Sequence, residues 1–393
     1  MQKAGGRRGE ASTERHVLVR LGGRRNPNSY GSWIDGEARS LGLDVMRGAV
    51  MVGLAVLVFT PWTGWRGHAA WWGWRPSDAF FPLFLTVAGA GLALQTKRGV
   101  PWTRVIRRFV SLIVLGLLVN ALLGAGLDLT KLRFTGVLQR IALAGLVGAA
   151  ILAVARRRWV WVTGAAVALC VAWGAVILIA ASSCPGGEPA MSGCGTLHGV
   201  DRAIFGRAHV YGAGAAGHDP EGLVSTLGAT ASFLAGSGAV ILMTDRRFGS
   251  AARRALALTG VAAGWLALSL PLLIFAPFGK RMWTPVFVSM NAAGALALLA
   301  VLTVVFDWPL AGTASRLRGA LAWPFVAVGR NALLSWTSLF IVDHALDVSR
   351  SGGGSLEESL LGSFGSYGYT VVMLGAWITV WCVMHAARWY VRL

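Results

Sequence analysis

Ten apolar runs, each close to the length that crosses a bilayer, dominate this 393-residue chain. A transmembrane helix needs about 20 consecutive apolar residues, because each residue advances the helix by about 1.5 Å. Only 13% of the residues are charged, whereas soluble domains usually carry about 25%. The chain is therefore predicted to be an all-α, polytopic helical membrane protein with about ten transmembrane helices. The predicted spans are 44–61, 78–96, 106–126, 135–155, 158–182, 222–244, 254–276, 285–306, 322–345 and 367–389.

The basic residues between these runs predict the orientation of the chain. Short connectors after the even-numbered runs hold fourteen Lys and Arg residues, and those after the odd-numbered runs hold six. Since basic connectors stay in the cytoplasm, both termini are predicted to be cytoplasmic, and the odd-numbered connectors to face outward from the plasma membrane. The net charge of +19 comes from these scattered clusters rather than from one basic face, so no nucleic-acid partner is expected.

Two polar segments mark the limits of the predicted domain. Residues 1–42 are Gly-rich and basic, which predicts a disordered cytoplasmic tail, and residues 43–393 form the transmembrane domain. A long loop, 183–221, is predicted to face outward. Its Cys184 and Cys194 are a disulfide candidate if the compartment is oxidising. Their spacing is not that of a zinc knuckle, and no metal is expected.

The outward connector GHAAWWGWRPSDAFFP, residues 67–82, holds a titratable imidazole among several tryptophans. Tryptophan is typical of the membrane surface, and on that interpretation His68 is an ordinary interfacial residue. Imidazole can also act as a general base or carry an acyl group. Asp78 can orient the ring if the connector folds back. Composition and spacing alone leave both interpretations of His68 open.

Polar side chains inside the predicted spans are the next candidates, because they are costly there unless they face a cavity or a partner. Gln139 and Arg140 lie near the outer end of the fourth run, and Asn120 near that of the third. These positions favour a functional role. Asp44 and Arg47 begin the first run, where a helix cap with an anchoring arginine competes with a contact to an anionic ligand.

Asp219 and Glu221 flank Pro220 just before the sixth run. Acidic residues in the first turn of a helix, with proline at its first position, are explained by the helix dipole and by the fixed φ of proline. A catalytic carboxylate is the alternative interpretation. Spacing alone does not separate the two.

Seven segments taken together resemble one known family. They are LGLDVMRG (41–48), HAAWWGWRPSDAFFPLF (68–84), GVLQRIAL (136–143), VDRAIFGRAHVY (200–211), DPEGLVSTL (219–227), FGKRMWTPVFV (278–288) and VGRNALLSW (328–336). The combination of His68, Trp71, Gly73, Asp78 and Pro82 is the most specific part. In this order and combination, the segments resemble the heparan-α-glucosaminide N-acetyltransferase family of bacterial and lysosomal transmembrane acyltransferases.

The resemblance implies that cytosolic acetyl-CoA donates an acetyl group, across the membrane, to the amine of a sugar such as a terminal glucosamine. It assigns the catalytic histidine to His68 and leaves open whether the imidazole acts as a base or as an acyl carrier. Membrane lipid, acyl-CoA and a sugar-type acceptor are the implied partners, with a homodimer as a further possibility. The residues expected to bind substrate or acyl-CoA are Asp44, Arg47, Trp71, Asn120, Gln139, Arg140, Asp219, Glu221, Lys280, Trp283 and Asn331.

The chain departs from the family in two places. Phe59-Thr60-Pro61 follows the first run, where the family usually has Asn-Asn-Pro or a similar stretch, so an amide that could hold the acyl carbonyl is missing there. The basic tail stands in place of the lysosomal member's large luminal portion, which makes a cell-surface, peptidoglycan-derived or secondary-metabolite sugar a better acceptor than heparan. A transporter of an amino sugar or small metabolite, and an inactive scaffold, are the alternative functions.

Overall fold

Twelve α-helices account for most of the chain that the computed structural model describes, residues 40–61, 67–69, 71–97, 99–124, 128–182, 196–214, 219–350 and 353–391. They are α1 (Leu41–Val58), α2 (Phe80–Gln95), α3 (Trp102–Leu123), α4 (Val137–Val154), α5 (Trp159–Ser182), α6 (Thr196–Phe205), α7 (Thr226–Met243), α8 (Ala251–Leu272), α9 (Pro285–Asp307), α10 (Gly312–Arg330), α11 (Ala332–Asp347) and α12 (Leu356–Ala386). Short 3₁₀ turns cover Pro76–Ala79, Arg207–His209, Tyr211–Gly214 and Arg246–Phe248. Two strands, β1 (Ser349–Arg350) and β2 (Gly353–Ser355), pair antiparallel.

The helices of the described residues have the length and composition of membrane spans. Nine are long and apolar enough to cross a bilayer, or up to ten if the bent pair α10 and α11 is one span. The predicted all-α, polytopic membrane fold is confirmed. Cys184 and Cys194 lie outside the described residues, and their pairing stays a prediction.

Contacts between connectors define two ends of the bundle. At the end called here the terminal face, Ser40 Oγ donates a hydrogen bond to Asp307 Oδ2 at 2.6 Å. At the end called here the histidine face, Gly73 N donates to Phe278 O at 2.9 Å. The terminal face consists of residue 40 and the connectors 96–97, 99–101, 155–158, 244–250 and 308–311. The histidine face consists of 67–69, 71–79, 128–136, 196–214, 219–225 and 273–284.

α7 is the central helix and packs against α2, α4, α5 and α9. Its sequence is rich in Gly, Ala and Ser, which lets neighbouring backbones approach closely. A Cβ added at Gly236 would overlap the carbonyl oxygen of Thr86 in α2. Small residues at helix interfaces are a principal way to gain packing in a bilayer, because lipid tails are as apolar as leucine side chains. The histidine-face connectors are therefore attached to a tightly packed frame.

The ninth predicted span, 322–345, is two helices rather than one. α10 and α11 meet at Asn331 with a bend of 76°. The Asn331 amide donates to Trp389 O at 3.0 Å and accepts from Val391 N at 3.0 Å, so the break is held by the segment that follows α12. The C-terminal part of α10, at Phe325 and Gly329, packs on Gly48 near the start of α1. Both ends of α10 thus lie near the terminal face, and α11 crosses toward the histidine face.

The first helix starts before the predicted domain boundary at residue 43. α1 begins at Leu41, with Ser40 as its N-cap and the Ser40 hydroxyl accepting from Leu43 N at 2.9 Å. Asp307 at the end of α9 accepts from Gly42 N at 3.0 Å. Two oxygen acceptors therefore satisfy N–H groups that a helix start leaves open.

Candidate active site

The connector that holds His68 folds back on Asp78. His68 Nδ1 lies 2.8 Å from Asp78 Oδ1. The second carboxylate oxygen accepts the backbone N–H groups of Arg75 at 2.9 Å and Ala69 at 3.3 Å. The Asp78 side chain is fully buried, while that of His68 is 50% exposed. Two backbone donors fix the carboxylate, and the carboxylate in turn fixes the ring.

The partners of His68 indicate which ring nitrogen carries the proton. A carboxylate only accepts hydrogen bonds, so Nδ1 is the nitrogen that donates to Asp78. In the neutral ring with this tautomer, Nε2 keeps its lone pair. An imidazole oriented by a buried carboxylate, with its second nitrogen able to take a proton, has the arrangement of a general base.

Lys280 brings a primary amine to the same imidazole. Its Nζ lies 2.8 Å from each ring nitrogen of His68 and 3.7 Å from Asp78 Oδ1. Equal distances place the amine against the ring, between the two nitrogens. The Lys280 side chain is 12% exposed. Burial lowers the pKa of its ammonium group to about 8, although the nearby Glu221 and Asp78 carboxylates act to raise it.

Arg140 lies near both partners of His68. It packs on Trp283, in the turn that holds Lys280, and on Phe81, in the first turn of α2 after Asp78. Its guanidinium carbon lies 4.9 Å from the ring centroid of Trp283 and 5.9 Å from that of Phe81. Nη2 donates to Ser225 Oγ and, at 3.4 Å, to Gly222 O. Nε and Nη1 are buried and have no hydrogen-bond partner among the described residues. Buried polar groups are normally satisfied, so these two donors are candidates for ligand binding.

Gln139 carries a second open group. Its Nε2 and Oε1 are both buried and lack a partner within the described ranges. Gly116 of α3 faces this amide, and a Cβ there would lie 2.5 Å from Oε1, so glycine leaves the room that the amide needs. Asn120 differs, because its amide donates to the carbonyls of Arg133 at 2.8 Å and Thr135 at 2.7 Å. Asn120 thus holds the connector between α3 and α4.

Asp219 and Glu221 bind an arginine and do not lie in the first turn of a helix. Arg133 Nη2 lies 2.6 Å from Asp219 Oδ1 and 2.6 Å from Glu221 Oε2. Thr135 Oγ1 and the backbone N–H of Tyr211 also donate to Asp219. Since α7 begins only at Thr226, the helix-dipole explanation of these acids is wrong.

The same contacts alter the titration of Asp219. Burial acts to raise the pKa of this carboxyl group, but Arg133 and the hydrogen bonds from Arg133 and Thr135 outweigh burial and hold the pKa below its usual value. The sequence predicts Arg133 only as a connector charge. No sequence pattern pairs Arg133 with carboxylates more than 80 residues away. The one usable signal was that the basic connector residue and the two acidic residues were predicted on the same side of the membrane.

Three predicted site residues lie away from this cluster. Asp44 and Arg47 form an ion pair at 3.5 Å in the first turns of α1, and Asn331 binds the segment after α12. Trp71 lies at the histidine face, 5.2 Å below the guanidinium carbon of Arg281. The predicted residues that the fold brings to one cluster are His68, Asp78, Gln139, Arg140, Asp219, Glu221, Lys280 and Trp283.

Phe59, at the position where the family usually has an amide, is fully buried. Its side chain packs with Met51, Leu339 and Trp377. Its carbonyl accepts a hydrogen bond from Thr370 Oγ1 at 3.0 Å. In this chain the position therefore joins α1 to α11 and α12 through apolar packing.

The comparison with known proteins agrees with the motifs. Residues 39–182 match the family model for the catalytic region of heparan-alpha-glucosaminide N-acetyltransferase. The predicted resemblance is confirmed over these residues. The matched part includes His68, Asp78, Gln139 and Arg140, and it indicates a membrane transferase of the acetyltransferase type. No curated protein matches the chain.

Proposed function

We propose that the protein is a membrane acyltransferase that moves an acetyl or another acyl group from cytoplasmic acyl-CoA to an amine or hydroxyl of a sugar-type acceptor. The acceptor would lie on the outer side of the plasma membrane, with both termini cytoplasmic. The observation that carries the proposal is the His68–Asp78 pair, 2.8 Å apart on a half-exposed ring. An amine that attacks a thioester must lose a proton, and this imidazole is built to take it.

Transfer to an amine acceptor needs one base and one attacking nitrogen at the thioester. The acceptor N–H donates to His68 Nε2 while the nitrogen attacks the thioester carbonyl carbon. The C–N bond forms, the C–S bond breaks, and the proton held by His68 passes to the departing CoA thiolate. In a two-step variant, Nε2 attacks the thioester carbon, the C–S bond breaks and CoA leaves as the thiolate. The acceptor amine then attacks the acyl carbon, the C–Nε2 bond breaks, and the amine proton passes through Nε2 to the thiolate. Asp78 supports both routes, because it stabilises the ring when the ring becomes positive.

Gln139 and Arg140 support binding of the donor. Gln139 offers one open donor and one open acceptor, which complements a secondary amide such as those in the pantetheine arm of CoA. The open Nε and Nη1 of Arg140 suit a carbonyl oxygen that becomes negative in the transition state. A buried polar group without a partner costs about 1–3 kcal/mol, so a ligand that pairs these atoms recovers that cost.

The terminal face supports a cytoplasmic donor. Arg47 lies there beside Asp44, and the basic connectors that predict the cytoplasmic side lie at the same end of the bundle. Anionic phosphates of CoA fit arginine side chains better than any other residue type, because the guanidinium fork matches phosphate geometry. The donor would then approach from the terminal face and the acceptor from the histidine face.

Acetyl transfer on isolated membranes tests the proposal. Radiolabelled acetyl-CoA is supplied with a panel of amino sugars, and labelled product is measured for the parent and for His68→Ala. We expect the variant to be slower by about 10²–10⁴-fold, the usual contribution of a positioned acid–base group. His344→Ala removes an exposed histidine of α11 and should transfer at the parental rate. The proposal fails if His68→Ala acetylates glucosamine as fast as the parent.

Transport of an amino sugar is a second candidate, favoured by the break between α10 and α11. Transporters often bind substrate at interrupted helices. Here the break is tied to the segment after α12 by Asn331, which gives it a structural cause. Uptake of labelled glucosamine into vesicles that contain no acyl-CoA would favour transport over transfer.

A further inference from the structure

The amine of Lys280 meets the requirements of an acyl acceptor in the proposed site. We propose that Lys280 is itself acylated: with acyl-CoA present and no external acceptor bound, the protein transfers the acyl group to its own Lys280 Nζ. The inference rests on the proposed function. It adds a covalent modification site next to the catalytic histidine.

Geometry is the first support. A general base must lie about 2.6–3.2 Å from the atom whose proton it takes, and Lys280 Nζ lies 2.8 Å from both His68 Nε2 and His68 Nδ1. Because Nδ1 already donates to Asp78, Nε2 is the nitrogen that takes the proton once the flexible lysine chain brings Nζ into line with its lone pair. An acyl carbon placed for attack by any amine bound to His68 is therefore within reach of Lys280. Because the amine is part of the protein, its attack is intramolecular, and such reactions gain large effective molarities over a dissolved amine.

The state of the amine is the second support. Lys280 is largely buried, and burial lowers its pKa to about 8. In roughly a tenth of the molecules the Lys280 amine is therefore neutral near pH 7. Desolvation of a lysine is a known way to make it a nucleophile. The charged groups that face it are Asp78 and Glu221, which favour the ammonium form, and Arg140, which disfavours it.

The chemical step balances without a further reactant. Neutral Nζ attacks the thioester carbon, the C–N bond forms, and the C–S bond breaks. The proton lost by Nζ moves to His68 Nε2 and then to the CoA thiolate, which leaves as the thiol. The products are free CoA and an amide on Lys280, with no change in oxidation state.

Acylation of Lys280 removes a positive charge and places an acyl group against the ring of His68. An external acceptor that binds His68 must displace the Lys280 amine, since both need the same nitrogen. The acceptor therefore protects Lys280, and the ratio of acyl-CoA to acceptor sets how much protein is modified. Modified protein should be inactive, because the acyl group on Lys280 occupies the space beside His68 that the external acceptor must enter.

The test is peptide mass spectrometry after incubation of the purified full-length protein with acetyl-CoA alone. We expect one added acetyl group on the peptide that contains Lys280, formed about a hundredfold faster than in His68→Ala. Lys131 is the matched control, because it lies at the same face with a side chain 65% exposed and reports non-enzymatic acetylation. Labelling of Lys280 should rise with pH and level off above about 8, because only the neutral amine attacks.

A second measurement uses no variant: added glucosamine should reduce the labelling of Lys280 in the parent. The inference is overturned if Lys280 stays unmodified in a preparation that acetylates glucosamine, which leaves the proposed function intact. It is also overturned if Lys280 and Lys131 are labelled equally, or if His68→Ala labels Lys280 as fast as the parent. A preparation that acetylates neither amino sugars nor Lys280 overturns the proposed function and this inference together.

Discussion

Arg133, in the connector before α4, and Arg140, in the first turn of α4, show how the same side chain can build structure or stay open to a ligand. Arg133 is partly buried and places its guanidinium on two carboxylates, with Nη2 at 2.6 Å from an oxygen of each. Arg140 is fully buried, yet two of its nitrogens have no partner among the described residues. Part of this difference was predictable from their positions, because Arg140 lies inside a predicted span and Arg133 in the connector before it.

The two arginines differ in hydrogen bonding because their neighbours differ. Arg133 faces Asp219 and Glu221, which balance its charge. Arg140 feels the same acids only at longer range and packs on the faces of Trp283 and Phe81, which attract a cation but accept no ordinary hydrogen bond. A satisfied ion network stabilises a fold, whereas an incompletely satisfied buried cation is costly to the fold and useful to a ligand.

Removing Arg133 should have the largest effect on stability. Arg133→Met leaves the buried Asp219 carboxylate without its cation, and breaking a buried ion pair on one side costs about 3–5 kcal/mol. Thermal unfolding in detergent should show a clearly lower Tm. Lys131→Met, two residues earlier on an exposed side chain, should stay within about 0.5 kcal/mol of the parent. Equal Tm values for the two variants would show that Arg133 does not stabilise the fold.

Removing Arg140 should reverse that pattern. Arg140→Met replaces a buried cation with an apolar chain of similar length, so Tm should be unchanged or higher. Acyl transfer should fall by about 10²–10³-fold, the usual effect of deleting one donor to a developing oxyanion. The measurement is transfer to glucosamine alongside thermal unfolding of the same preparation. A fall in Tm as large as that of Arg133→Met, with transfer retained, would show that Arg140, like Arg133, stabilises the fold and does not bind the ligand.

The sequence predicts the parts of the structure that depend on neighbouring residues better than the parts that depend on distant ones. The apolar runs predict the helices well, because a bilayer demands that each span satisfy its own backbone hydrogen bonds. The break at Asn331 could not be predicted in this way, because Asn331 is held by Trp389 and Val391, in a segment far along the chain. Apolar composition continues through the break and hides it.

The site was predictable in its residue types but not in its pairings. His68 and Asp78 lie in one connector, so a folded-back loop was a reasonable expectation. Lys280 was expected only as a binding residue from its motif, because its contact with His68 joins connectors more than 200 residues apart. The partners of Asp219 and Glu221 were missed for the same reason, and a helix-dipole explanation filled the gap.

Gly116 tests whether the open amide of Gln139 matters to transfer. In Gly116→Ala the added Cβ would lie 2.5 Å from Gln139 Oε1, so the amide must shift, at a cost of about 1–3 kcal/mol for overpacking. We expect transfer to fall by about tenfold or more through a raised KM for acetyl-CoA. Gly260→Ala is the matched control, because a Cβ there meets nothing within 4 Å. An unchanged KM in Gly116→Ala would show that Gln139 does not bind the donor.

A smaller loss of stability than that of Arg133→Met is expected at Thr135, which donates to Asp219 in the network of Arg133. Asp219 has a folded-state pKa below its usual value, so its contribution to stability is present above the unfolded pKa of about 3.9 and is lost as pH falls through the folded pKa. Thr135→Val removes one donor to the carboxylate, at a cost of about 1.5–3 kcal/mol. It should also reduce the loss of stability on acidification, because the folded pKa rises toward the unfolded one and narrows the pH range over which stability is lost.

Tm measured from pH 7 down to pH 3 separates this effect from simple loss of a hydroxyl group. Thr303→Val is the control: the Thr303 hydroxyl donates only within its own helix, to Leu299 O at 2.7 Å, and its removal should lower Tm by the same amount at every pH. A Thr135→Val curve parallel to that control would mean that Asp219 draws its stability from Arg133 alone. A Thr135→Val curve that falls less than the parent's and converges with it at low pH would show that hydrogen bonds to every carboxylate oxygen, and not charge alone, distinguish the Arg133 network from the open donors of Arg140.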